Sequence, residues 1–187
     1  MEEEVQLILE ETNEMMDNSI VHLKRELVKI STGKANPLML QSVRVDYYGV
    51  STPLSQVANI NTPDAKTITI QPWEKAMLEP CATAIIYANL GLNPQNNGEI
   101  LIISVPPLTE ERRRDLVKQA RKEAEEAKIG IRNARHNGIT MIKDLEKEGL
   151  SKDLAHDAEV EIQNLTNKHS DTVDEVVKEK EVDIMTV

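Results

Sequence analysis

Apolar side chains recur at helical spacing from Val5 to Ile30, at Val5, Ile8, Met15, Met16, Ile20, Leu23, Leu27 and Ile30, with no Pro or Gly between them. This predicts one long amphipathic helix that stops at Gly33, with Pro37 blocking a restart. From about Leu38 to Val105 the pattern changes to short β-branched runs punctuated by most of the prolines and glycines. Strands are predicted at Val43–Tyr48, Thr67–Ile70 and Ile100–Val105, a helix at Glu74–Asn89 weakened by Pro80, and a turn over Gly91–Gly98. Pro106-Pro107 and an N-capping Thr109 then open a very long helix. In it, positions 113, 117, 120, 124, 127, 131, 134, 138, 141 and 145 alternate by four and three, a coiled-coil-like seam rich in Ala and closed by Gly149. Ser151 opens a third helix, with Leu154, Ala158, Ile162, Leu165, His169, Val173 and Val176 along its apolar stripe.

Three amphipathic helices, one at the start and two at the end, can bury their stripes only against one another. The expected class is therefore α+β: a three-helix bundle from residues 1–30 and 106–187, with residues 31–105 inserted as a small α/β domain. Two short connections, near 30–33 and 105–107, make Ile30, Ser31, Val105, Pro106 and Pro107 candidate hinge residues.

Composition narrows the chemistry. An aromatic fraction of 2% without Phe requires an aliphatic core, and the single cysteine, Cys81, cannot form an internal disulfide. Together with an acidic start and no long apolar run, this points to a cytoplasmic chain that neither crosses a membrane nor requires a partner copy. His22, His136, His156 and His169 are scattered, and no phosphate-loop or nucleophile-elbow motif occurs. Neither a catalytic site, a metal nor a cofactor is expected. His169 reads as a hydrogen-bonded bundle residue and Cys81 as a small apolar filler.

The net charge of -10 is unevenly spread: residues 112–135 hold 9 basic groups against 4 acidic ones. Arg114, Lys118, Arg121, Lys128, Arg132 and Arg135 lie one position past the seam, so they form a stripe flanking the core over about 30 Å of helix axis. Such a stripe can follow a phosphate backbone, and it can equally pair with acids on neighbouring helices. The segment lacks aromatic stacking platforms, which favours phosphates or structured RNA over single-stranded bases.

Six blocks carry a resemblance to a known family: Thr32-Gly33-Lys34-Ala35-Asn36-Pro37, Val45-Asp46-Tyr47-Tyr48-Gly49, Thr52-Pro53-Leu54, Gly91-Leu92-Asn93-Pro94, Pro106 to Arg113, and Ile131-Arg132-Asn133-Ala134-Arg135. In these the chain resembles the bacterial ribosome recycling factors. The resemblance implies an L-shaped molecule with a hinge, a long helical arm on large-subunit ribosomal RNA, and elongation factor G with GTP acting on the short arm. It also implies RNA contacts by Arg132, Arg135 and Lys34, with His136 beside them. The chain departs from the family pattern at Ser31, Cys81-Ala82-Thr83, Ile102, His136 and Gly138. A divergent paralogue, or a helical scaffold without recycling activity, is the alternative.

Overall fold

The computed structural model describes residues 2–186. It is an α+β chain of four α-helices and six strands, in the order α1 (Glu2–Val28), β1 (Arg44–Tyr47), β2 (Val50–Pro53), β3 (Ala58–Asp64), β4 (Thr67–Pro72), α2 (Leu78–Tyr87), β5 (Pro94–Asn96), β6 (Leu101–Ser104), α3 (Glu110–Lys147) and α4 (Lys152–Met185), with short 3-10 turns between some of them. Internal contacts divide the chain into two units. One holds the chain up to Ile30 with Arg114–Thr186, and the other holds Ser31–Arg113. The second boundary falls inside the first turn of α3, later than Val105–Pro107, and Leu108 illustrates why. Its side chain lies over Gly33, where a Cβ would sit 3.1 Å from Cγ, so this stretch packs with the smaller unit.

The larger unit is a three-helix bundle whose termini are set by local chemistry. Thr109 Oγ1 accepts from the Arg112 N–H at 3.1 Å, and Ser151 Oγ from the Leu154 N–H at 3.3 Å. At the end of α3, Gly149 adopts φ +115° while its N–H reaches Glu146 O and that of Leu150 reaches Leu145 O. This Schellman closure needs a left-handed residue, which glycine supplies without strain.

The buried positions of α4 are Ala155, Ala158, Ile162, Thr166, His169, Val173, Val177 and Ile184. Up to Val177 they repeat as three, four and four residues, an eleven-residue period. In α3 they are Leu116, Ala120, Ala124, Ala127, Ile131, Ala134, Gly138 and Ile142. The four-three seam expected from sequence therefore holds between Ala120 and Gly138 but drifts at both ends. Leu116 is buried rather than Val117, Ile142 rather than Met141, and in α4 Leu154 is exposed while Leu165 and Val176 are half-buried. The reason is geometric: a strict 3.5-residue repeat slips about 20° per heptad around a straight helix of 3.6 residues per turn, whereas an eleven-residue repeat stays on one face.

The small residues fix how the helices meet. A Cβ on Gly138 would lie 2.5 Å from Thr12 Oγ1 on α1 and 3.2 Å from Ile162 Cδ1 on α4, so all three helices converge there. Gly130 likewise faces Ser19. The pairs 12–138 and 19–130 run in opposite senses, placing α3 antiparallel to α1. Thr12 beside Ile162 through Gly138, and Asp17 bonded to His169, rise together, so α1 and α4 run parallel.

In the smaller unit β3-β4-β6-β5 form an antiparallel sheet and β1-β2 a separate hairpin. Ile68 pairs with Ile103 and Ile70 with Leu101, all four fully buried in one core with Val45, Leu54, Cys81 and Ile85. Each such aliphatic side chain contributes about 1.5–3 kcal/mol by leaving water. The helix expected at Glu74–Asn89 is shorter: a 3-10 turn at Lys75–Met77 precedes α2, which starts at Leu78. Pro80 thereby falls in the first turn, where an N–H has no intrahelical acceptor to lose. Three strands were not expected from the sequence. Among them, Pro94–Asn96 pairs with β6 inside the run read as a turn.

Candidate nucleic-acid interface

The basic stripe lies on α3, and α4 sorts it into two groups. Arg121 grips Glu181 through Nε at 2.7 Å and Nη2 at 3.4 Å; Lys128 Nζ stands 2.7 Å from Asp174 Oδ1; Arg135 Nη1 donates to Gln163 Oε1 at 3.4 Å. Residue numbers fall on α4 as they rise on α3, the register of an antiparallel pair. The hydrogen bond and charge of Glu181 hold the Arg121 guanidinium above its ordinary pKa. Arg121 remains 67% exposed at its side chain, so water screens the pair and it adds little to stability. A phosphate can displace such a carboxylate at little cost.

Lys118 and Arg132 are exposed, with no hydrogen bond or ion pair among the described residues. Arg114 is exposed as well, but it has a partner. His136, one turn beyond Arg132, is exposed, and its carbonyl accepts from Thr140 Oγ1 at 2.9 Å. Lys122 shares this outward face, exposed and one helical turn from Lys118, although a count taken one position past the seam does not pick it out. Along the stripe the open cations are Lys118, Lys122 and Arg132, set beside the α4-paired Arg121, Lys128 and Arg135, while Arg112 and Lys143 lie exposed nearer the ends of α3.

Lys34 lies in the smaller unit, exposed after Gly33, whose φ is +75°. Asn36 Oδ1 caps the next turn by accepting from the Leu38 N–H at 3.0 Å, with Pro37 starting it. Of the candidate hinge residues, Ile30 closes α1 through its N–H to Leu27 O, and the Val105 N–H bonds Lys66 O at 2.8 Å. Ser31 Oγ accepts from the Gly33 N–H at 3.3 Å.

The face is a convex line of guanidinium and ammonium groups, suited to a polyanion that approaches from outside. Among the described residues no group of three or more His, Cys, Asp or Glu is placed to hold a metal ion, and no helix is long and apolar enough to cross a membrane. His169 is buried, with Nδ1 2.7 Å from Leu165 O and Nε2 2.8 Å from Asp17 Oδ1, a structural role.

A family model described as ribosome recycling factor matches residues 23–185. The ribosome-recycling factor of Flavobacterium johnsoniae is 59% identical over 187 residues, covering all of both chains. That of Bacteroides fragilis is 46% identical over 184 residues, 98% of this chain and 99% of that one. Among solved structures, a solution structure of the ribosome recycling factor aligns with a TM-score of 0.78 at 34% identity over 98% of each chain. A further match belongs to models of the T. thermophilus ribosome recycling factor and E. coli elongation factor G bound to the E. coli post-termination complex, with a TM-score of 0.65, 40% identity, and 97% and 99% coverage.

Proposed function

The chain belongs to the ribosome recycling factor family, and on that premise we propose that it binds the post-termination ribosome through ribosomal RNA and, with elongation factor G and GTP, drives its dissociation into subunits. Messenger RNA and tRNA are thereby freed for a new round of translation in the cytoplasm. The chain carries out no chemistry of its own; nucleotide hydrolysis belongs to the partner GTPase.

Arg132 and Arg135 make the principal phosphate contacts, with Lys118, Lys128, Arg121, Arg114 and His136 extending the line and Lys34 adding one from the smaller unit. The observation that carries this reading is the exposed guanidinium of Arg132, which has no hydrogen bond or ion pair among the described residues on a helix whose neighbouring cations are held by α4. A buried or paired arginine would have a structural account, and Arg132 has none. Ile30, Ser31, Val105, Pro106 and Pro107 serve in this reading as the flexible connections; the division of internal contacts next to Ile30 supports the first, while the second division falls after Arg113, beyond Pro107.

Light scattering from post-termination ribosomes tests the activity. Adding the chain with elongation factor G and GTP should lower the scattering as subunits separate, and neither protein alone should do so. Scattering that stays constant with both present, while a recycling factor of known activity lowers it, would overturn the reading.

A further inference from the structure

The smaller unit collects three of the four aromatic residues of the chain at one place, well separated in sequence from the basic stripe. Tyr47 ends β1, Tyr48 begins the turn after it, and Trp73 follows β4. Tyr48 is 74% exposed and Trp73 68% exposed in a molecule whose core is otherwise aliphatic. Both tyrosine hydroxyls donate to one carboxylate: Tyr47 Oη to Glu74 Oε1 at 2.9 Å and Tyr48 Oη to Glu74 Oε2 at 2.7 Å. The two rings stand edge to face with centroids 4.7 Å apart.

A cleft of about 380 Å³ opens here, walled by Tyr47, Trp73, Val57 and Met77, with Glu74 as its charged group and no basic residue in its lining. Arg44 and Asp46 alternate with Val45 and Tyr47 along β1, so Arg44 does not share a face with Tyr47.

The backbone adds an independent observation. Tyr48 and Gly49 form the two-residue loop between β1 and β2, and both have positive φ, +50° and +86°. This is a type I′ turn, whose first position suits Asn, Asp or Gly. A tyrosine there strains the backbone, because its Cβ crowds the following carbonyl oxygen. Burial does not offset the strain, because the ring is exposed. What the position gains is a ring and a hydroxyl set against Glu74.

We propose that this cleft is a docking site for an arginine side chain presented by a protein partner. The chemistry selects the occupant. Indole and phenol faces attract a cation, and a guanidinium can stack on Trp73 while its N–H groups reach a carboxylate. Glu74 keeps that capacity, since a carboxylate has about four acceptor sites and the tyrosines occupy two. A phosphate backbone is disfavoured by the same carboxylate, with no basic residue in the lining to offset it. The proposal concerns a face of the smaller unit and does not depend on the ribosomal RNA contacts of α3.

Trp73 is the only tryptophan, so its emission reports on the cleft without labelling. The full chain is titrated with acetyl-arginine amide and, separately, with acetyl-citrulline amide, which has the same shape without the charge. The arginine compound should give a saturable change and the citrulline compound none. Glu74→Gln should raise the midpoint at least fivefold. Tyr47→Leu, which removes the phenol face that walls the cleft, should raise it at least twofold. Equal responses to the two compounds, or a midpoint unmoved in both variants, would overturn the proposal. No ribosome is present in the titration, so its failure leaves the recycling activity untouched.

Discussion

Asp17 on α1 and His169 on α4 are joined across the bundle at 2.8 Å, and the other ring nitrogen of His169 meets the Leu165 carbonyl at 2.7 Å. Both ring nitrogens therefore have an oxygen within hydrogen-bond distance. The imidazole is 5% exposed and Asp17 58% exposed, so a water-facing carboxylate anchors a buried ring. Asp17→Ala should destabilise the chain by about 1–3 kcal/mol in urea unfolding, the cost of a buried polar ring nitrogen left without its partner. Asp17→Asn should cost distinctly less, because its amide can still hydrogen-bond the ring. Equal losses in the two variants would contradict this pairing.

Gly138 should resist the usual benefit of alanine in a helix. Relief of glycine's backbone entropy would add roughly 1 kcal/mol. The new Cβ, however, would meet Thr12 Oγ1 at 2.5 Å and Thr12 Cγ2 and Ile162 Cδ1 at 3.2 Å. Gly138→Ala is therefore expected to be net destabilising by about 1–3 kcal/mol through overpacking. Combining it with Thr12→Ala, which removes both clashing Thr12 atoms, should recover most of that loss. Thermal unfolding of the two single variants and the double variant checks the coupling.

Cys81 should be silent to thiol reagents in the folded chain. It is fully buried, and removal from water pushes its pKa up to about 11. At mildly alkaline pH the thiolate fraction is minute, and the sulfur is covered as well. Labelling should track global unfolding across a urea series, and rapid labelling of native protein would contradict the packing described.

The Tyr47–Glu74–Tyr48 contacts predict opposite behaviour at the two ends of the pH scale. The hydrogen bonds from Tyr48 and then Tyr47 lower the Glu74 pKa, so its contribution to stability is present above 4.5 and is lost as pH falls through the depressed folded value. The same bonds raise both tyrosines above 10.0, so their contribution is present below that pH and disappears as pH rises through the elevated folded values. Ultraviolet titration should show Tyr47 and Tyr48 ionising later than free tyrosine, and Glu74→Gln should bring them back towards the ordinary value. An unshifted titration in the parent chain would contradict the hydrogen bonds.

Much of this architecture was legible because the bundle helices are long and uninterrupted, so their apolar period is sampled many times. The drift of the seam at Val117 and Met141 was not legible, since a four-three count and an eleven-residue count differ by only a residue over the span of α3. The strands at Ala58–Asp64 and Pro94–Asn96 escaped for another reason. Asn59, Asn61, Thr62 and Pro63 leave an edge strand with little apolar alternation, and three residues around Pro94 match a turn as well as a strand. In the basic stripe, the angular position of each side chain follows from the helix itself. Which of them find an acid is a matter of α4, whose Asp174 and Glu181 lie 46 and 60 residues further along the chain than Lys128 and Arg121. Tyr48 belongs to the same class: its exposure and its grip on Glu74 depend on a residue 26 positions away.

The central claim is that α3 presents Arg132 and Arg135 to ribosomal phosphates. Co-sedimentation with ribosomes across a salt series measures it most directly, comparing the parent chain with the Arg132→Ala, Arg135→Ala double variant. The double variant should show an affinity at least tenfold lower and a shallower dependence on salt, by about 0.7–0.9 in log–log slope for each phosphate no longer neutralised, with the far-UV helix signal unchanged. The same affinity and the same slope in both proteins at every ionic strength would contradict it.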